Sequence, residues 1–293
     1  MSIKPRILLL AATFFLAISC GDANQSYVRK AIRIMDRNAL FAEGAEWEAA
    51  REKALAASPA SLEEAQDIIR EAGKVAGGKH TFLKLSGEVS EDAVSTDWDM
   101  PSVTVREDGI AIIKLPPFSG NSEEGIKYAS TVLDAIPDTV SGVVIDLRDN
   151  TGGNMYPMIS AVHRFIADED VLRFRTRKRT QWIELSYVLQ GTGVSPLPRI
   201  ECPVAILTNE WTASSGEATL LCFRGLDYVC VFGAPTAGYA SANQPFTLPD
   251  GSQLVLTTGC DVARTGEVFC DDPIQPDVLT ETPLEDAVAW CRR

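Results

Sequence analysis

Apolar residues follow a helical spacing through the first third of the chain. Between residues 26 and 76 they recur every three or four positions, which indicates amphipathic helices. Ser61 followed three residues later by Glu64 forms a capping box, which predicts the start of a helix. We therefore predict a small helical bundle as a domain over residues 26–85.

From about residue 100 the pattern changes to short apolar runs rich in β-branched residues, separated by amphipathic stretches. Strands that alternate with helices in this way predict an α/β fold with a largely buried sheet, here as a domain over residues 100–293. The predicted elements are a hairpin of residues 103–105 and 110–113, strands over 142–147, 203–208, 228–232 and 253–258, and helices over 123–136, 155–166 and 215–223.

The N-terminus has the pattern of an export signal. Two basic residues precede an apolar run over residues 7–18, and small residues follow it. The segment Leu16–Cys20 resembles a bacterial lipobox, so we expect a signal peptide over residues 1–19 and lipidation of Cys20. Plain secretion with cleavage near Ala23 is the alternative. Either way the sequence predicts an exported protein, lipid-anchored in the cell envelope facing the periplasm or exterior, or secreted.

Charge excludes some partners. The chain has 27 Lys and Arg against 40 Asp and Glu, a formal net charge of −13. Nucleic-acid binding needs a positive surface, so no nucleic-acid partner is expected. Attachment to an anionic membrane through basic residues is disfavoured for the same reason, which leaves the lipid anchor on Cys20 as the predicted membrane contact.

Cysteine usage fits export. Of seven Cys, lipidation of Cys20 leaves six, an even number that permits three disulfides in an oxidising compartment. The sequence leaves fifteen pairings open; short loops favour Cys222–Cys230 and Cys260–Cys270, which leaves Cys202–Cys291. No CxxC pair and only two His occur, so we predict no metal site.

Two strand-to-helix junctions carry residues suited to catalysis. Gly152 and Gly153 follow the 142–147 strand, and glycines there can expose backbone amides to a ligand, as an oxyanion hole requires, or can simply form a tight turn. Ser214 follows the 203–208 strand among small residues, as a nucleophile on a sharp turn does. With Glu217 it also forms a capping box, and the two roles are compatible because the helix dipole favours negative charge there.

A serine nucleophile needs a base, most often histidine. His163 lies within a predicted helix and is expected to be a packing or surface residue. His80 follows a glycine pair and precedes a predicted strand, which makes it the better candidate.

In this order the segments resemble the S41 serine peptidases, the group of tail-specific and C-terminal processing proteases. The resemblance covers roughly residues 27–285. The matching motifs are His80–Thr81, the IDLRDNTGG string over 145–153, SSGE over 214–217, GAPTAG over 233–238 and IQPD over 274–277. It implies a ClpP/crotonase-like spiral of ββα units, Ser214 as the nucleophile, and amides of Ser215 and of Gly152 or Gly153 as oxyanion-hole donors.

The chain departs from the family pattern in two places. About twenty residues separate Phe82 from Val103, too few for the PDZ domain that many members carry, so recognition of a substrate C-terminus by strand addition is not expected. Tyr239 stands where the processing proteases have a catalytic Lys. The resemblance then implies the tricorn-like arrangement, with His80 as base and Thr81 beside it.

The acid of that arrangement is open. The family position falls on Cys270, next to Asp271, and the further alternatives are Asp272, Glu267 and Asp261. We take Asp271 as the acid. The sequence thus predicts an exported serine peptidase that acts on peptides or unfolded chain ends and needs no cofactor. A non-catalytic ligand- or peptide-binding protein on the same fold, or an esterase, are the alternatives.

Overall fold

The computed structural model of the chain describes residues 7–87, 99–167 and 169–293, with the side chains of residues 7–22 outside this description. Of the predicted signal peptide, residues 1–6 lie outside the described residues, and the side chains of residues 7–19 and of the predicted lipidation site Cys20 are not described. The chain divides into two compact units, one of Met1–Glu88 and Asn243–Thr258, the other of Val89–Ala242 and Gly259–Arg293. Among the described helices none is long and apolar enough to cross a membrane.

The first unit is mainly helical, as the spacing of apolar residues predicts. Ser61 caps the third helix, its Oγ accepting from the Glu64 amide at 3.1 Å. The helices close on a buried core that includes Ile32, Met35 and Ile69. Segment 243–258, which the sequence pattern groups with the catalytic domain, belongs to this unit. Its elements are α1 (Ile7–Asn38), α2 (Gly44–Ala56), α3 (Leu62–Gly77) and β1 (Phe82–Lys84), and β1 pairs antiparallel with residues 253–255.

The second unit is built on a sheet with four consecutive parallel pairings. Its strands are β2 (Ser102–Val105), β3 (Ile110–Lys114), β4 (Gly142–Asp146), β7 (Val204–Thr208), β8 (Val229–Gly233) and β12 (Val278–Leu279). Their order in the sheet is β12-β8-β7-β4-β3-β2, and only the β2–β3 hairpin is antiparallel. Every residue of β4 and β7 is buried, as expected for strands covered on both faces.

Helices cover both faces of this sheet. Ile145 and Ile206 face the larger core, whereas Val144 and Leu207 face α8, because side chains alternate along a strand. The α/β class is therefore confirmed. The helices are α4 (Ser122–Ala135), α5 (Met155–Ala161), α6 (Leu185–Thr192), α7 (Ser215–Leu221) and α8 (Pro283–Cys291), and a 3-10 turn over His163–Phe165 replaces the end of the predicted 155–166 helix.

The remaining strands of the second unit form an antiparallel layer. The hairpin of β5 (Asp170–Thr176) and β6 (Thr180–Glu184) pairs with residues 259–262 of β10 (Gln253–Val262), which also pair with β11 (Val268–Phe269). Strand β9 (Ser241–Thr247), whose residues 243–247 belong to the first unit, pairs with β10 as well. The sequence pattern did not predict β5, β6 or α6.

One of the three predicted disulfides is present. A disulfide joins Cys260 and Cys270. Four other cysteines are free thiols: Cys202, Cys222, Cys230 and Cys291. The Cys222–Cys230 pairing is wrong because the two residues pack in different cores, on opposite faces of the sheet: Cys222 with the larger core and Cys230 with α8. Cys202 and Cys291 are also separate thiols in the structure, although they lie close enough that burial and then the charge of Cys202 raise the pKa of Cys291 to about 11.

Candidate active site

Ser214 lies on a sharp turn between β7 and α7. Its backbone has φ 51° and ψ −115°, a region that residues with a side chain rarely adopt. Such strain persists only where surrounding contacts hold it, and it clusters at functional sites. The turn thus has the backbone form expected of a nucleophile elbow.

Glu217 holds that turn in place. Its side chain is fully buried and accepts four hydrogen bonds. Oε2 accepts from the amides of Ser214 at 2.9 Å and Tyr239 at 2.7 Å, and Oε1 accepts from the Thr236 hydroxyl at 2.5 Å and the Gly238 amide at 3.0 Å. Burial raises the pKa of Glu217, and these four bonds oppose the rise. The predicted capping residue therefore links the nucleophile turn to the Thr236–Tyr239 loop.

The glycine loop after β4 packs directly against Ser214. A Cβ on Gly152 would lie 2.8 Å from the Ser214 Cβ and 3.1 Å from the Ser215 nitrogen. A Cβ on Gly153 would lie 2.0 Å from the carbonyl oxygen of Phe118. Both glycines have φ above 100°, so only glycine satisfies the space and the backbone conformation together.

Two hydrogen-bond donors near Ser214 already have acceptors. The Ser215 hydroxyl donates to the Gly153 carbonyl at 2.7 Å. The Gly152 amide donates to Oδ1 of Asn150 at 2.9 Å. Asn150 is fully buried, and its carbonyl accepts from the Ala213 amide at 2.9 Å. Ser215 therefore has a structural use for its side chain, whereas its amide lies beside the turn of Ser214.

His80 and Thr81 belong to the first unit. Thr81 is buried, and its hydroxyl donates to Thr257 at 3.2 Å. Thr257 donates in turn to Oδ1 of Asn243, and Nδ2 of Asn243 donates to the His80 carbonyl at 3.0 Å. This chain of bonds fixes the backbone at His80. Burial, and then the charge of Lys79, lowers the pKa of His80 to about 4, so its imidazole is neutral at physiological pH.

His163 has a structural environment, as expected from its place in the sequence. Its side chain is 4% exposed. Nδ1 lies 2.7 Å from the Ser160 carbonyl, and Nε2 accepts from the Leu197 amide at 3.0 Å. A neutral tautomer with its proton on Nδ1 satisfies both contacts.

The candidate acids differ in environment. Asp271 is half-buried, and its carbonyl oxygen would lie 2.9 Å from a Cβ on Gly238. Asp261 is buried, Asp272 is exposed, and Glu267 forms an ion pair with Arg224. Glu267 is thus committed to another partner. Among the described residues no group of His, Cys, Asp and Glu has the arrangement of a metal site.

A family model for peptidase family S41 matches residues 109–280, more than half of the chain. The chain belongs to peptidase family S41. The predicted resemblance is confirmed, and membership of this family suggests serine protease activity.

Individual relatives agree with the S41 assignment. The chain is 31% identical over 278 residues to the nisin-resistance protein of Lactococcus lactis subsp. lactis, covering 92% of this chain and 87% of that protein. It is 28% identical over 198 residues to the chloroplastic carboxyl-terminal-processing peptidase 2 of Arabidopsis thaliana, of which it spans 36%.

Solved structures share the S41 fold. A lipoprotein from Streptococcus agalactiae superposes with a TM-score of 0.83 at 29% identity, covering 92% of this chain and 96% of that one. The photosystem II D1 C-terminal processing protease gives a TM-score of 0.61 at 16% identity, with 92% and 96% covered. The second likeness concerns the fold alone.

Sequence reasoning found the S41 motifs but missed their supporting residues. Asn150 lies within the recognised string, yet its role in binding Gly152 was not predicted. Thr236 binds Glu217, and a signal was available because it lies in the GAPTAG motif. Asn243 and Thr257 support His80 from a segment that no motif marks.

Proposed function

We propose that this S41 chain is an exported serine peptidase with Ser214 as its nucleophile. The observation that carries the proposal is the strained turn of Ser214, held by Glu217 and packed against a glycine loop. Strain of this kind costs on the order of 1–3 kcal/mol and is retained where function needs it. Ser215 is the weaker candidate because its hydroxyl already binds the Gly153 carbonyl.

In the proposed reaction the Ser214 hydroxyl loses its proton to His80 and attacks the carbonyl carbon of a peptide bond. The amides of Ser215 and Gly153 stabilise the oxyanion that forms. Gly153 is preferred to Gly152, whose amide donates to Asn150. The protonated imidazole then donates its proton to the departing amine, and water releases the acyl group by the reverse sequence of steps.

The assignment of His80 as base rests on chemistry and motif. With its pKa lowered to about 4, the imidazole is ready to accept a proton at neutral pH. Thr81, whose hydroxyl is bound to Thr257, would contribute by positioning the histidine. Asp271 is proposed as the acid that orients the imidazole.

Peptides are the proposed substrates, and the name of the L. lactis relative makes nisin the first peptide to test. The S. agalactiae structure is that of a lipoprotein, which supports the proposal that Cys20 is lipidated and anchors the protein in the cell envelope. Incorporation of a labelled fatty acid that is lost in Cys20→Ser would test the anchor.

Matched variants test the mechanism. Ser214→Ala should abolish cleavage of nisin or of a generic peptide library, whereas Ser215→Ala should retain it, since only the first removes the nucleophile. His80→Ala should lose about a hundredfold or more, the range for removing general-base catalysis, and His163→Ala should retain most activity.

The controls separate function from folding. Each variant should keep the far-ultraviolet circular dichroism of the wild type. Cleavage by Ser214→Ala at the wild-type rate would rule out the nucleophile. Tight binding of peptide without turnover in the wild type would instead support a non-catalytic binding protein, and hydrolysis of esters alone would support an esterase.

A further inference from the structure

A second carboxyl group is buried close to the nucleophile turn and has no role in the proposed mechanism. Asp261 lies on β10 and is 2% exposed. Its Oδ1 is buried and has no hydrogen-bond partner among the described residues. A buried ionised carboxylate without partners costs several kcal/mol, so its protonation state needs an explanation.

Asp261 and Glu217 meet at the same short stretch of chain. Glu217 accepts from the amides of Gly238 and Tyr239. The next residue, Ala240, is fully buried, and its carbonyl accepts from the Asp261 amide at 3.3 Å. The charge of Glu217 raises the pKa of Asp261, after burial itself. The two carboxyl groups therefore belong to one buried cluster.

The hydrogen bonds decide which group carries the charge. Two neighbouring buried carboxyl groups cannot both ionise without strong repulsion. Glu217 has four donors directed at its oxygens, which stabilise the carboxylate form. Asp261 has no such donors on Oδ1, and the protonated form is the cheaper one there.

Other ionisable groups near Asp261 do not change which of the two carboxyl groups carries the charge. Burial, and to a smaller extent the charge of Asp261, raises the pKa of Cys222, the residue after α7, to about 12, so its thiol stays protonated. Arg264 donates from Nη2 to the Cys222 carbonyl at 2.7 Å. Asp261 pairs with Phe174 across the ladder, so Arg173 and Arg175 project from the opposite face of the sheet. On the other paired strand, β11, the facing residue is the uncharged Phe269.

We propose that Asp261 is a positioning residue that keeps its proton and so leaves Glu217 as the ionised acceptor that holds the Ser214 turn. The inference deepens the proposed peptidase mechanism and rests on it for its effect on activity. When Asp261 ionises as the pH rises, repulsion weakens the hydrogen bond between Glu217 and the Ser214 amide, and activity falls. The neutral form is thus part of the active state.

Asp261→Asn provides the test, because asparagine imitates the neutral acid and cannot ionise. The measured quantity is kcat/KM against pH on a cleaved peptide. We expect the wild type to decline on the alkaline side and the ratio of variant to wild-type rate to rise with pH. Asp227→Asn, at an exposed position, is the control and should follow the wild-type profile. Parallel profiles for Asp261→Asn and the wild type would overturn the proposal.

A second readout does not depend on catalysis. In the unfolded chain Asp261 ionises near its ordinary pKa of 3.8, whereas the folded state retains the proton. The folded wild type therefore binds one more proton than the unfolded chain, and its stability falls as pH rises. The ratio of the folding equilibrium constant of Asp261→Asn to that of the wild type should rise about tenfold for each pH unit above 4, until Asp261 ionises in the folded state.

The stability and activity measurements separate failure of the protonated Asp261 from failure of the proposed peptidase mechanism. A stability difference that does not change with pH overturns the protonated Asp261, whatever the activity. If the stability difference between Asp261→Asn and the wild type grows with pH, the buried carboxyl pair is supported. If Ser214→Ala is nevertheless fully active, the peptidase mechanism is rejected. If Asp261→Asn does not fold, infrared spectra of the wild type at neutral pH decide, since a protonated carboxyl band is expected and its absence contradicts the proposal.

Discussion

Replacing Glu217 with Gln changes one oxygen of a carboxylate that serves four donors. In the native side chain Oε1 accepts from Thr236 and Gly238, and Oε2 accepts from Ser214 and Tyr239. A glutamine has one carbonyl oxygen, which can serve only one of these pairs. Its NH2 group then faces the other pair.

The cheaper orientation of the amide sets the expected cost. With NH2 toward Thr236, the threonine hydroxyl can accept from it as well as from the Ile274 amide, but the hydroxyl proton and the Gly238 amide both lose Oε1 as their acceptor. A buried donor without a partner costs about 1–3 kcal/mol, and loss of the charge from the remaining bonds adds to this. We therefore expect Glu217→Gln to lower the free energy of unfolding by about 2–4 kcal/mol.

Urea unfolding with the disulfide intact measures this loss. All variants are compared at one pH, because burial and the charge of Glu217 raise the pKa of Asp261 and make the stability depend on pH. Glu210→Gln, at an exposed position on the same loop, is the matched control and should stay within about 0.5 kcal/mol of the wild type. A Glu217→Gln protein equally close to the wild type would refute the role given to these four bonds.

Three further predictions follow from the site and the cysteines. The rate should rise with pH through an ionisation near 4, because the base must be neutral and burial with the Lys79 charge lowers the pKa of His80 to about 4; an acidic limb near the ordinary value of 6.5 in the pH–rate profile would contradict this. Gly153→Ala should destabilise the protein far more than Gly266→Ala in urea unfolding. Both glycines have positive φ, but only at Gly153 would the added Cβ clash with a carbonyl oxygen, that of Phe118; equal losses would show that this close approach is unimportant. Thiol titration of the denatured, unreduced protein should give four thiols and a fifth if Cys20 carries no lipid, whereas a count near zero would favour three disulfides; the four are Cys202, Cys222, Cys230 and Cys291.

The sequence predicted the strands that bear the site because β-branched runs such as β4 and β7 are buried on both faces. It also placed Ser214 and the glycine loop at strand-to-helix junctions, which is where the structure has them, because small residues mark such sharp turns. The Cys222–Cys230 pairing was wrong because loop length was weighed without the alternation of side chains in β8, which points Cys230 toward α8. The Cys202–Cys291 pairing was only the pair that remained.

Contacts between distant segments could not be predicted. Asp261 meets the environment of Glu217 only because β10 brings its amide to Ala240, and no local pattern encodes that pairing. The support of His80 by Asn243 likewise depends on a segment that joins the first unit from far along the chain. Both cases involve tertiary contacts, which periodicity and motifs do not record.

The central claim is that Ser214 is the nucleophile, and covalent trapping tests it most directly. A fluorophosphonate phosphonylates an activated serine, whose oxygen attacks phosphorus and displaces fluoride, and tandem mass spectrometry of the digested adduct identifies the modified residue. We predict a single adduct on Ser214, absent from Ser214→Ala and from heat-denatured wild type. An adduct on Ser215 or elsewhere, or no adduct on a folded protein that cleaves peptide, would contradict the account.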